Sequence, residues 1–94
     1  MSDILKAIGN TPIVKLKNIV PFGCGEIYVK LEAFNPTGSK KDRMALSMIL
    51  GAEKRGVLKK GMTVVEYSGG STGAGLAFVC SLKGYNFRLV TADV

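Results

Sequence analysis

One run of about thirty residues sets the strongest constraint on this fold. "TVVEY" at 63–67 is compact and apolar, "SGGSTGAG" at 68–75 is rich in glycine, "GLAFVCSLK" at 75–83 is apolar nearly all round, and "FRLVTAD" at 87–93 is apolar again. Strand, tight turn, helix and strand at this spacing form a βαβ unit. Its two strands should run parallel with a right-handed crossover, because the helix carries the chain back to where the first strand began. Gly84 is expected to end the helix in the left-handed conformation. A parallel pair needs further elements beside it and on its faces. The pattern therefore predicts the opening of a larger α/β protein.

The upstream elements follow the same logic. "SDILKAIG" reads as a short helix that stops at Gly9, with a turn at 10–12 and a short extended piece at "IVKL". "EIYVKLE" at 26–32 alternates Ile27, Val29 and Leu31 with polar neighbours and reads as a strand. Residues 33–38 are a loop rich in Asn, Pro, Thr and Gly. A helix is expected from Lys41 to Lys54, with Ser39 as its N-cap and Asp42 three residues on, close to a capping box. Ala45, Met48, Ile49 and Ala52 recur at helical spacing as its buried face, and Gly56 ends it.

Length and charge narrow the function classes. At 94 residues the chain is one small domain at most, and such a chain buries only roughly 60–65% of its unfolded surface. The net charge is +6, yet the bases are scattered and no aromatic residues interleave with them. That pattern reads as solvated faces, not a nucleic-acid footprint. The two cysteines, Cys24 and Cys80, and the absence of histidine leave no metal-binding spacing. They suggest reduced thiols in a cytoplasmic protein. The N-terminus lacks a signal-peptide pattern, and no apolar run has the length of a membrane span.

Two stretches could carry chemistry. The loop at 68–75 joins a strand to a helix N-terminus, and its glycines let backbone N–H groups face an anion, with hydroxyls from Ser68, Ser71 and Thr72 beside them. On pattern alone, an anion cradle and simple turn chemistry are equally good readings. "NPTGSKKDR" at 35–43 sets Lys40 and Lys41 at the start of a helix, where the macrodipole disfavours a cation. A lysine amine kept neutral is a nucleophile able to form a Schiff base with an aldehyde. On pattern alone, exposed lysines in a polar first turn are the plainer reading.

Taken together, "IGNTPIVKL", "FNPTGSKKDRMA" and "EYSGGSTGAGLA" resemble, in order and spacing, the start of the cysteine synthase / cystathionine β-synthase family. These are fold-type II enzymes dependent on pyridoxal phosphate (PLP), and the resemblance covers essentially the whole chain. N-P-x-x-S-x-K-D-R is the family's cofactor-lysine signature. Matched by position, it makes Lys41, not Lys40, the Schiff-base lysine, flanked by Ser39, Asp42 and Arg43. The third segment resembles the family's T-S-G-N-T-G loop, which binds the substrate carboxylate. Its positions are Ser68, Gly69, Gly70, Ser71, Thr72 and Gly73. Ser68 keeps a hydroxyl and Gly69 removes one. Ser71 stands where the family usually has an asparagine that bonds the cofactor's 3′-oxygen.

The resemblance implies an incomplete three-layer parallel-sheet fold of the tryptophan synthase β type. Residues 1–34 would belong with the large domain, and 35–94 would open the small one. It also implies the N-terminal part of a β-replacement enzyme that turns an O-acylserine and sulfide into cysteine, with an amino acid as substrate and Lys41 as catalytic base. Family members are several times longer, and their cofactor-phosphate loop has no counterpart in these 94 residues. The chain by itself is therefore expected to bind PLP weakly or not at all and to be inactive. The alternatives are β-elimination from serine or threonine, and a non-catalytic fragment that self-associates through uncovered apolar surface. Neither nucleic acid nor membrane is an expected partner, and a homo-oligomer is.

Overall fold

In a computed structural model, residues 3–92 are described. The elements in chain order are α1 (Asp3–Lys6), β1 (Ile13–Lys15), β2 (Tyr28–Lys30), a 3-10 turn (Glu32–Phe34), α2 (Lys41–Lys54), β3 (Thr63–Tyr67), α3 (Ser71–Lys83) and β4 (Asn86–Val90). The chain is an α/β arrangement with two small sheets. β1 and β2 pair antiparallel, with Val14 opposite Val29. β3 and β4 pair parallel, with Val64 opposite Phe87 and Tyr67 opposite Val90. The βαβ unit is thus present.

α2 has the bounds its sequence predicts. The polar loop before Lys41 supplies a start, and Gly56, at φ +75°, supplies the left-handed stop. α3 begins at Ser71, four residues earlier than read from the apolar run, so more than half of the glycine-rich stretch is helical. Gly73 and Gly75 sit inside that helix because neighbours crowd their Cα atoms, not because the chain turns there. The strand read over 26–32 is confined to Tyr28–Lys30, because β1 offers only three residues to pair with. The last strand stops at Val90, and Asp93 of the expected run lies outside the described residues. Gly84 ends α3 at φ +83°, its N–H donating to the Cys80 carbonyl.

The core lies between α2 and α3. Ala45 and Ile49 meet Leu76, Val79 and Cys80, with Leu5 of α1 closing one end and Val64 and Phe87 packing from the sheet. Met48, expected on the buried face, is 47% exposed. The close helix contact is a narrow stripe through Ala45 and Ile49, and Met48 falls a turn-angle to one side of it. On β3 and β4, Val64, Phe87 and Leu89 face the helices, while Val65 and Tyr67 on the opposite face are 58% and 66% exposed. The radius of gyration is 16.8 Å, against about 13 Å for a compact domain of about 100 residues. The sheet of β1 and β2 accordingly extends away from the helical core.

Candidate functional site

The start of α2 is anchored by the two residues after Lys41. Gly38, at φ +84°, turns the chain, and its N–H donates to the Asn35 carbonyl at 2.8 Å. Ser39, expected as the N-cap, lies one residue before it: Lys40 holds the cap position without a side-chain cap bond, and Ser39 Oγ accepts the Lys41 N–H at 3.0 Å. Asp42 does not complete a capping box with Ser39. It is fully buried, and its carboxylate accepts the Thr37 N–H at 2.7 Å and the Thr37 hydroxyl. The loop at 35–38 folds back over the first turn, so Thr37, not the cap, supplies the donors that a buried carboxylate requires.

Arg43 is anchored in another direction. Its Nε donates to Glu32 Oε1 at 2.6 Å and its Nη2 to Thr11 Oγ1 at 3.1 Å. Thr11 Oγ1 in turn donates to Glu32 Oε2. Asn35 closes the knot: its Oδ1 accepts the Gly9 N–H at 2.7 Å, and its Nδ2 donates to the Glu32 carbonyl at 2.9 Å. A Cβ on Gly9 would lie 2.9 Å from Arg43 Nη1, so glycine is what lets the guanidinium lie over this segment. The hydrogen bonds from Arg43 and then Thr11 hold the Glu32 carboxyl down from 4.5 to about 2. The first two motif-bearing segments, around residues 9–11 and 35–43, are thereby tied together through Glu32.

The second loop is organised by Ser68. This residue is buried, its N–H donates to the Val90 carbonyl at 2.9 Å, and its Oγ accepts the N–H groups of Gly73 at 2.9 Å and Gly70 at 3.2 Å. A helix start leaves four N–H groups without helical partners. Ser68 satisfies two of those at the start of α3. Among the described residues, the N–H groups of Ser71 and Thr72 are bonded to no acceptor. Gly69, Gly70 and Ser71 are exposed and Thr72 is half-buried. The loop therefore presents two backbone donors and two hydroxyls at one helix start, while the Ser68 oxygen is turned inward to build it.

The two helices run side by side in the same direction. At their starts, a Cβ on Gly75 would lie 3.1 Å from the Lys41 carbonyl oxygen and 3.3 Å from Ala45 Cβ. At their ends, Glu53 pairs with Lys83 at 3.1 Å and accepts a hydrogen bond from Tyr85. That pairing lowers the Glu53 carboxyl, through Tyr85 first and Lys83 second, and raises the Tyr85 hydroxyl. Two helix N-termini, each carrying partial positive charge, thus lie together. Lys41 is half-buried there, and among the described residues its amine is in no ion pair. It lines an open cleft of about 800 Å³ with Lys30, Lys40 and Arg43, against the single acid Glu32.

The expected site residues fall into two groups. Lys41 belongs to the cleft and to the start of α2, and Ser71 and Thr72 to the adjacent start of α3. Gly69 and Gly70 lead into the latter, and Ser68 supports it from below. Glu32 and Gly75 are not singled out by the sequence, and Thr11 and Asn35 enter only as members of the quoted motifs IGNTPIVKL and N-P-x-x-S-x-K-D-R. Gly75 leaves a local signal of its own, a glycine within an apolar helical run. The cysteines take no part: Cys24 is exposed, and Cys80 is buried in the core, which pushes its thiol up.

Comparison with known proteins places this geometry in context. Residues 4–94 match the family described as pyridoxal-phosphate dependent enzyme. The chain is 50% identical over 93 residues to cysteine synthase B of Salmonella typhimurium, covering 99% of this chain and 31% of that protein. It is 54% identical over 85 residues to a cysteine synthase of Staphylococcus aureus, covering 90% of this chain and 27% of that protein. The crystal structure of an O-ureido-L-serine synthase superimposes with a TM-score of 0.90 at 49% identity, over 97% of this chain and 28% of that one. The chain spans less than a third of the length of each of these relatives.

Proposed function

The chain belongs to the pyridoxal-phosphate dependent enzyme family, and from that premise we propose that it carries the cofactor lysine and the substrate-carboxylate loop of a β-replacement enzyme of the cysteine synthase type. The observation that carries this reading is the meeting of two helix starts, with Lys41 on one and the open N–H groups of Ser71 and Thr72 on the other. The names of the relatives, two cysteine synthases and an O-ureido-L-serine synthase, support the same reaction class.

The residues present fit the cofactor. Lys41, half-buried and in no ion pair among the described residues, lies on a cleft lined by three further cations, which suits an anionic aldehyde. Lys41 Nζ would hold PLP through its aldehyde carbon, and Ser71 would offer its hydroxyl to the ring 3′-oxygen. When bound, PLP supplies an electron sink for the substrate's α-carbon. The chain's own residues do the rest. Ser71 and Thr72 N–H groups bind the substrate carboxylate and so fix the α-carbon. Ser68 holds those donors in line, and Gly69 and Gly70 leave the loop surface open to the ligand. Lys41 Nζ, set free where the substrate's own amino group takes its place on the aldehyde carbon, would be the base for the α-proton. The substituent on the β-carbon of an O-acylserine then leaves, and sulfide takes its place.

In the same reading, residues 1–34 belong with a large domain and 35–94 open a small one, which the separation of the two sheets supports. A cytoplasmic setting is supported by the free thiols of Cys24 and Cys80. Self-association is a second reading, favoured by the uncovered Val65 and Tyr67 face of β3. Sedimentation at several concentrations tests it: a size that grows with concentration supports self-association, and a constant monomer contradicts it.

The test of the main reading is chemical. The purified chain is incubated with PLP, reduced with borohydride and mapped by peptide mass spectrometry. Even where overall binding is weak, the reading expects the adduct that borohydride traps to be concentrated on Lys41 and lost in Lys41→Ala. Labelling spread evenly over the exposed lysines contradicts it.

A further inference from the structure

We propose that Glu32 and Arg43, with Thr11 and Asn35, are positioning residues for Lys41: they lock the first turn of α2 to the N-terminal segment so that the Lys41 amine is held toward the cleft. The inference rests on the reading of Lys41 as the cofactor lysine. It goes beyond that reading by giving a holding role to Glu32, Thr11 and Asn35, which have no part in it, and to Arg43, which there only adds positive charge to the cleft.

The geometry is specific to the lysine's position. Lys41 is followed at once by two anchored residues, Asp42 bound to Thr37 and Arg43 bound to Glu32 and Thr11. A helix turn fixed at two successive positions, roughly 100° apart around its axis, can neither rotate nor slide. Arg43 and Glu32 also line the same cleft as Lys41, so the clamp forms part of its wall. The guanidinium meets the carboxylate through Nε at 2.6 Å and Nη2 at 3.2 Å, a two-point contact that fixes orientation as well as distance. Asn35 adds a second strap from Gly9 to Glu32, closing the arrangement without passing through α2. Lys40, one residue earlier, is exposed and precedes both anchors. The clamp therefore distinguishes two adjacent lysines of identical chemistry.

That pair supplies an internal reference for the test. The full chain is labelled with PLP and borohydride, and the Lys41-to-Lys40 adduct ratio is measured in wild type, Glu32→Gln, Thr11→Val and Glu53→Gln. Glu53→Gln removes a comparable contact from the far end of α2, where Glu53 meets Lys83 and Tyr85. All labelling is done where circular dichroism shows each variant folded. In Glu32→Gln the ratio is expected to fall by on the order of tenfold, since misplacing a reacting group by about an ångström costs that much or more. Thr11→Val, the milder change, should lower it in the same direction. Glu53→Gln should leave the ratio unchanged even if it lowers the melting temperature. A wild-type preference for Lys41 that survives in both Glu32→Gln and Thr11→Val overturns the clamp and leaves the reading of Lys41 standing. An equal drop in Glu53→Gln overturns it in favour of general stability. No preference in the wild type overturns both.

Discussion

The carbonyl oxygen of Lys41 and the α-carbon of Gly75 meet so closely that a methyl group on Gly75 would lie 3.1 Å from that oxygen. This contact joins α2, which carries the proposed cofactor lysine, to α3, which carries the proposed carboxylate loop. It brings the two halves of the proposed site together from segments about thirty residues apart in the chain.

Gly75→Val should therefore lower stability by about 1–3 kcal/mol, the usual cost of forcing extra atoms into a packed contact. Gly69→Ala is the control. Its Cβ would meet nothing within 4 Å, and its backbone is not left-handed. It should be neutral or stabilise by up to about 1 kcal/mol through the unfolded chain. Urea unfolding midpoints of the two variants check the contrast, and a Gly75→Val midpoint at or above that of Gly69→Ala counts against the contact.

Asp42→Ala should cost about 1–3 kcal/mol. The substitution leaves the Thr37 N–H and hydroxyl without the buried acceptor they now share. Thermal and urea unfolding measure it. A change within a few tenths of a kcal/mol would mean that the loop at 35–39 does not depend on this carboxylate.

Ser68→Ala should weaken the start of α3 by about 0.5–2 kcal/mol, the range for loss of a capping oxygen. The amides of Gly70 and Gly73, which now donate to Ser68 Oγ, should exchange faster with solvent. Hydrogen exchange read by NMR locates the effect, and unchanged protection at Gly73 would remove Ser68 from this role.

Acid should loosen the clamp. Glu32 titrates near 2 in the folded chain, against 4.5 when unperturbed. Its contribution is therefore fully present above pH 4.5 and is lost as the pH falls from there through about 2. Glu53, also lowered, acts in the same direction. Stability measured by urea at a series of pH values should fall across that window. The fall should be shallower in Glu32→Gln, with the remainder carried by Glu53. An identical slope in the variant would contradict the Arg43–Glu32 pairing.

The parts that could be read from sequence are those set by neighbouring residues. α2 starts and stops where the polar loop before Lys41 and the left-handed Gly56 dictate. The parallel pairing of β3 and β4 follows from the spacing of strand, glycines and helix. The early start of α3 was hidden because glycine reads locally as loop, whereas Gly73 and Gly75 serve close packing against Ser68, Leu89 and Lys41. The partner of Asp42 was hidden because it depends on how the loop at 35–38 folds back. The clamp was hidden for a longer-range reason. Arg43 reaches Glu32 across eleven positions and Thr11 across thirty-two, and no local periodicity carries such a pairing. The family resemblance named Arg43 as part of a motif without saying what it holds.

Lys41 and the start of α3 form one site in the proposed function. This is tested most directly by recording the ¹⁵N–¹H spectrum of the PLP-treated chain during titration with O-acetyl-L-serine. Saturable shifts concentrated on the Ser71 and Thr72 amides are expected, and weaker ones when Lys41→Ala is treated in the same way. Shifts that avoid Ser71 and Thr72, or that are the same with and without Lys41, would contradict it.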